Sequence, residues 1–113
     1  MPTAYGSPHF VSVKSLPPRG RAYCRGYVSA ITVAPATEPP RFTAMVEDSM
    51  AAYRSSPLKP RPKVRLIWVG QRRVPGVEAG TSLAFEGMVS TVDGYPTIFN
   101  PRYEIIGRPE ADA

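Results

Sequence analysis

Proline placement sets the first limit on what this chain can fold into. Fourteen prolines and nine glycines stand mostly between short runs in which apolar and polar residues alternate. A residue that donates no amide hydrogen breaks a helix wherever it enters one, so long helices are excluded and the period of two predicts short strands. Residues 33–41, with Pro35, Pro39 and Pro40, read as a loop. Residues 49–63 read as a second loop, with room for one helical turn at 50–53 before Pro57, Pro60 and Pro62.

Five strands remain. The first is predicted over residues 22–33, with Cys24, Gly26, Val28 and Ala30 on one face and Arg25, Tyr27 and Ser29 on the other. Gly26 would let this long strand bend and serve two sheets. The second covers 42–47, with Phe42, Ala44 and Val46 inward and Thr43, Met45 and Glu47 outward. In the third, 64–69, Arg65 must reach water, so alternation turns Val64, Leu66 and Trp68 inside and leaves Ile67 and Val69 outside. The fourth covers 83–91, with Leu83, Phe85, Gly87 and Val89 inward, and Asp93-Gly94 then signals a tight hairpin. The fifth, 95–106, is interrupted at Asn100-Pro101, where the missing amide predicts a bulge or an edge position. Residues 1–20 alternate weakly at Phe10, Val11 and Val13, which leaves either an edge strand or disorder.

A chain of 113 residues fits one domain with a core large enough to fold without metal or disulfide. One cysteine, Cys24, excludes an internal disulfide, and one histidine, His9, leaves a zinc site short of ligands. No metal or other cofactor is expected. No apolar run approaches the roughly 20 residues of a membrane span, and the first residues lack the layout of a secretory signal. A cytoplasmic protein with no membrane contact is the expectation. Lysine and arginine total 14 against 9 acids, a balance suited to a partner that carries phosphates.

Five short strands, a long bent first one and a closing hairpin outline an all-β, five-stranded Greek-key OB-fold barrel with little or no helix. The domain is expected over residues 21–107, with a partly ordered arm at 1–20 and a tail at 108–113. Between Gly70 and Gly80 the chain is too short and too rich in glycine and proline for more than a turn of helix. Val74 and Val77 are therefore predicted to plug the end of the barrel, with Arg72 and Arg73 on its rim.

Three stretches carry a resemblance. They are Leu66-Ile67-Trp68-Val69-Gly70-Gln71-Arg72-Arg73-Val74-Pro75-Gly76-Val77-Glu78-Ala79-Gly80, Phe85-Glu86-Gly87 and Thr97-Ile98-Phe99-Asn100-Pro101-Arg102-Tyr103-Glu104. In these the sequence resembles small actinobacterial proteins with an OB-fold nucleic-acid-binding domain of unassigned cellular role. The match is close over 64–106 and loose over 16–48, and it implies the fold more specifically than the function. Where the family places a short Asp-Gly turn between strands two and three, this chain has Asp48-Ser49-Met50 and the longer proline-rich loop.

Charge placement is the most informative functional feature. Residues 49–77 contain no acid but hold Arg54, Lys59, Arg61, Lys63, Arg65, Arg72 and Arg73. In an OB-fold this segment falls on the face used for ligands, where phosphates would release condensed counterions on binding. Single-stranded DNA or RNA is thus the expected partner, held by Arg25, Arg41, Lys63, Arg65, Arg72 and Arg73, with Tyr27 and Tyr53 as stacking rings. Trp68, Phe42, Phe85 and Phe99 read as core, and Cys24 as a small apolar filler. Arg102, with Tyr103 beside it, reads either as a backbone contact or as part of the bulge at Asn100-Pro101. The alternative function is a protein-interaction module or homo-oligomer, using an exposed strand and an outer apolar patch of Met45, Ile67 and Val69. Catalysis is not expected, because one histidine cannot make a triad and no glycine loop ends in Lys-Ser/Thr. The adjacent Glu47 and Asp48 would point to opposite faces of a strand.

Overall fold

The computed structural model describes residues 10–48 and 61–109. Over the described residues the chain is nearly all β, a single seven-stranded sheet. Its strands are β1 (Phe10–Val11), β2 (Gly20–Val33), β3 (Arg41–Glu47), β4 (Val64–Val69), β5 (Ser82–Val92), β6 (Tyr95–Phe99) and β7 (Arg102–Gly107), with a 3-10 turn at Val13–Ser15. The order is β1-β2-β3-β4-β6-β5-β7, and β2 also pairs with β5, so β2, β3, β4, β6 and β5 make a ring of five strands. Ring neighbours are antiparallel except β4 and β6, which run parallel. Among the described residues no helix is long and apolar enough to cross a membrane.

The long strand β2 serves two partners. Its first half pairs with β5, from Gly20 opposite Val89 to Tyr27 opposite Ser82, and its second half pairs with β3, ending at Val33 opposite Phe42. The changeover works because Gly26 lets the backbones approach. A Cβ there would run into the Val46 side chain and sit 2.7 Å from the Glu47 carbonyl oxygen. Just beyond, a bulge between Val28 and Ala30 resets the alternation. That shift corrects the expectation for Ala30, which is exposed rather than inward.

The remaining inward set follows the period of two. Cys24, Val28, Val46, Val64, Leu66, Leu83 and Ile98 are sealed from solvent, and Phe42, Trp68, Phe85 and Val89 pack with them. Burying each large apolar side chain contributes about 1.5–3 kcal/mol. Val74 and Val77 join the same cluster from the connection after β4. Gly87 keeps its inward register but is only half-buried. Burial, and secondarily the negative charge of Asp48, push the Cys24 thiol up to about 12, so it stays protonated as an apolar filler.

The predicted fifth strand is two strands. Asn100 takes φ +51°, a conformation Asn tolerates better than most residues, and the chain changes direction there between β6 and β7. Its amide donates to the Ile67 carbonyl at 2.6 Å, and its side-chain oxygen accepts from the Val69 amide at 2.9 Å. Beside it, the Trp68 indole donates to the Pro101 carbonyl at 3.3 Å. Asp93 and Gly94, at φ +53° and +82°, form the hairpin between β5 and β6 as such a pair should. At the amino-terminal end, β1 pairs parallel with Tyr23 and Cys24 of β2, and the Asp48 carboxylate accepts from the Val13 amide at 2.6 Å. The helical turn expected at 50–53 lies outside the described residues.

Three side chains depart from their expected exposure. Ile67 points outward by alternation yet is only 7% exposed. Glu47 also points outward yet is buried, for reasons of charge given below. Phe99, expected in the core, is 47% exposed. Of two adjacent apolar residues on a strand only one can face inward, and Ile98 takes that place.

Substituting Asn100→Ala should lower stability by about 2–3 kcal/mol, from a lost hydrogen bond and a strained φ. Asn100→Gly, which keeps the backbone conformation, should lose less. Urea denaturation followed by Trp68 fluorescence would rank the two.

Candidate nucleic-acid interface

Strand register decides which predicted side chains can act together. Across β3, β4 and β6, Met45 lies opposite Arg65 and Arg65 beside Thr97, while Thr43 lies opposite Ile67 and Ile67 beside Phe99. Arg41 lies opposite Val69. The outer side of these strands therefore carries Arg41 and Arg65 from the predicted set, with Lys63 just ahead of β4. It also carries Tyr95 and Phe99, both exposed.

Arg65 is the best-defined cation of this face. Its guanidinium carbon lies 4.9 Å from the centre of the Tyr95 ring, a cation–π arrangement. One of its nitrogens lies 3.9 Å from the Asp93 carboxylate at the hairpin tip. Arg41 stands at a similar 3.9 Å from Glu38, and both partners are half-exposed, so this pair contributes little.

The other predicted residues are divided. Arg25 lies on the outer side of β2 opposite Ala84, its guanidinium 4.3 Å from the centre of the Phe10 ring. Arg102 lies on β7 opposite Glu86, 3.7 Å from its carboxylate and largely exposed. These two occupy the β2–β5–β7 arc, across the ring from β4. Tyr27 is half-buried where β2 changes partners, opposite Glu47 and Ser82. Arg72 turns onto the loop at residues 34–40 and donates to the carbonyl oxygens of Pro35, Ala36 and Glu38. These partners are neutral, so its charge persists. Arg73 is exposed beside it, and Tyr53 lies outside the described residues.

The acid-free run of sequence is not acid-free in space. Glu47 sits at the end of β3, and Arg61 donates to its carboxylate at 2.6 Å with both side chains largely buried. Burial alone would raise the Glu47 pKa. Hydrogen bonds from Arg61 and Ser29, and the charges of Arg61 and Lys63, outweigh it and hold the carboxyl below its ordinary value. Arg61 is thus tied to the fold.

Tyr95 and Phe99 were missed because Pro96 and the break at Asn100-Pro101 obscure the alternation. Fixing Ile98 as inward is enough to turn Tyr95 and Phe99 outward. The expected apolar patch of Met45, Ile67 and Val69 is reduced, since Ile67 is buried and Met45 half-buried while Val69 is exposed. No protein-family model matches the chain, and no curated protein matches it.

Because its folded pKa is lowered, Glu47 stabilises the fold fully above its unfolded value, and this contribution fades as pH falls through the folded one. The Glu47→Gln variant should be less stable by about 3 kcal/mol at neutral pH, with the difference shrinking in acid. Denaturation midpoints measured for both proteins between neutral and acidic pH would reveal the convergence.

Proposed function

We propose that the protein is a non-catalytic OB-fold barrel that binds single-stranded nucleic acid, with little sequence preference, through the outer face of β3, β4 and β6. The barrel reading is supported by the pairing order of the ring. A long first strand bends between two partners, and a parallel pair, β4 with β6, completes the circuit, an arrangement suited to a partly open Greek-key barrel.

The observation that carries the binding reading is the pairing of aromatic and basic groups on one face. Tyr95 and Phe99 offer exposed rings along β6, Arg65 stands beside Tyr95, and Arg41 lies at the far end of the same face. Rings take successive bases whatever their identity, because every base has a π-face, and cations track the backbone. Arg72 and Arg73 extend positive charge past the end of β4, beside the loop that carries Glu38. Lys63 does the same at its beginning. Asp93 and Glu38 subtract from this potential, so the expected affinity is modest and steeply dependent on salt.

Anisotropy titration of a labelled single-stranded oligonucleotide tests this reading. Affinity should fall with added salt, by a logarithmic slope of roughly 0.7 for each phosphate neutralised. Tyr95→Ala and Phe99→Ala should each weaken binding by about 1–3 kcal/mol, and Arg65→Ala should flatten the slope. Arg102→Ala, on the other arc, should change neither. Absence of binding at low salt would rule the function out.

A further inference from the structure

The ring uses both edges of its strands, but β7 lies outside it and pairs with β5 alone. Apart from the two-residue β1, it ends the sheet, and its far edge has no strand partner among the described residues. Unpaired strand edges attract other strands unless something blocks them. Here the outward positions at the carboxyl end of that edge are Glu104, Ile106 and, one residue past the strand, Arg108, all exposed. Ile106 is 50% exposed. Neither Glu104 nor Arg108 forms an ion pair with any described residue.

This pattern is complementary to itself when reversed. We propose that β7 pairs antiparallel with β7 of a second copy of this chain, about a two-fold axis at Ile106. Outward residues must then face outward residues, so Ile106 meets its counterpart and each Glu104 meets Arg108 of the other copy. Such a contact is isologous, the same strand contributed twice. Opposite charges facing across an antiparallel pair stabilise it, and like charges destabilise it.

Neighbouring registers are poorer. Centring on Glu104 sets the two carboxylates against each other, and centring on Ile105 sets Glu104 against Ile106. Centring on Tyr103 pairs Arg102 with Glu104 but sets Ile106 against Asn100 and leaves Arg108 without an opposite charge. It also brings Pro101, which has no amide to give, within two residues of the axis, whereas the register about Ile106 meets Pro109 only at three. The register about Ile106 covers the apolar side chain and supplies a partner for both unpaired charges.

Sedimentation velocity over a wide concentration range tests the proposal. The wild-type mass should rise reversibly from one chain toward two. Glu104→Arg and Arg108→Glu should each raise the midpoint concentration by on the order of tenfold or more, because each sets like charges opposite one another. An equimolar mixture of the two variants should recover association as a mixed dimer, since one copy then carries two arginines and the other two glutamates. Recovery on mixing also shows that each variant is folded. A wild-type protein that stays monomeric throughout would overturn the proposal, as would a dimer indifferent to the substitutions or variants that fail to associate when mixed. Oligonucleotide binding by either variant is expected to persist, since β7 lies away from the β3–β4–β6 face, so the two proposals can fail separately.

Discussion

A ring of strands holds together only if its final pair meets in register, and here that pair is β4 with β6. It is the one parallel pairing within the ring, and it spans three residues before the chain turns away. Asn100 extends the seam by both routes open to it, with its amide on Ile67 and its side-chain oxygen on the Val69 amide. Trp68 adds an indole hydrogen bond to Pro101 and packs edge-on against Phe42 and Tyr103. The Tyr103 hydroxyl in turn donates to the Pro75 carbonyl at 2.9 Å, tying the connection that carries Val74 and Val77 to the first residues of β7. The same few groups thus close the ring, seat Val74 and Val77 against the core and release β7 as a separate edge.

A second constraint lies at the end of β3, where two adjacent carboxylates hold different segments. Glu47 draws in Arg61 at the approach to β4, and Asp48 receives the amides of Val13 and Lys14 from the amino-terminal turn. Gly26 lets β2 pass close enough to β3 for this corner to form. Glu47, which on a simple alternation would add a negative charge to the outer face of β3, is withdrawn into the fold together with one of the arginines.

The two outer arcs of the ring differ in kind. On the β3–β4–β6 side, Arg65 of β4 and Arg41 of β3 accompany the exposed rings of Tyr95 and Phe99 on β6. On the β2–β5–β7 side, Glu86 is shared by Arg21 and Arg102, and a groove of about 210 Å³ between Tyr23 and Tyr103 carries Glu86 and Glu104 as well as Arg102. A polyanion is better matched by the first arc. The second offers mixed charge and a free strand, which suits a protein surface such as another copy of the chain.

The strand pattern was legible in the sequence because alternation and proline are local signals. The limits of β4, the hairpin at Asp93-Gly94, the inward Trp68 and the burial of Val74 and Val77 all follow from neighbours a few residues away. Ala30, Ile67 and Glu47 were not legible, since a bulge, the packing around an outer face and an ion pair with Arg61 each depend on partners distant in the chain, whereas Phe99 turned only on which of two neighbouring apolar residues faces inward. The run of basic residues was visible as composition, but Glu47 and Asp93 reach its side chains only after folding, and Arg25 and Arg102 separate onto another arc only once the ring exists. Local residue chemistry therefore determined that this chain would build short strands around an apolar interior. Tertiary structure alone decided which charges remain available, because Coulomb attraction acts through space and takes no account of order along the chain.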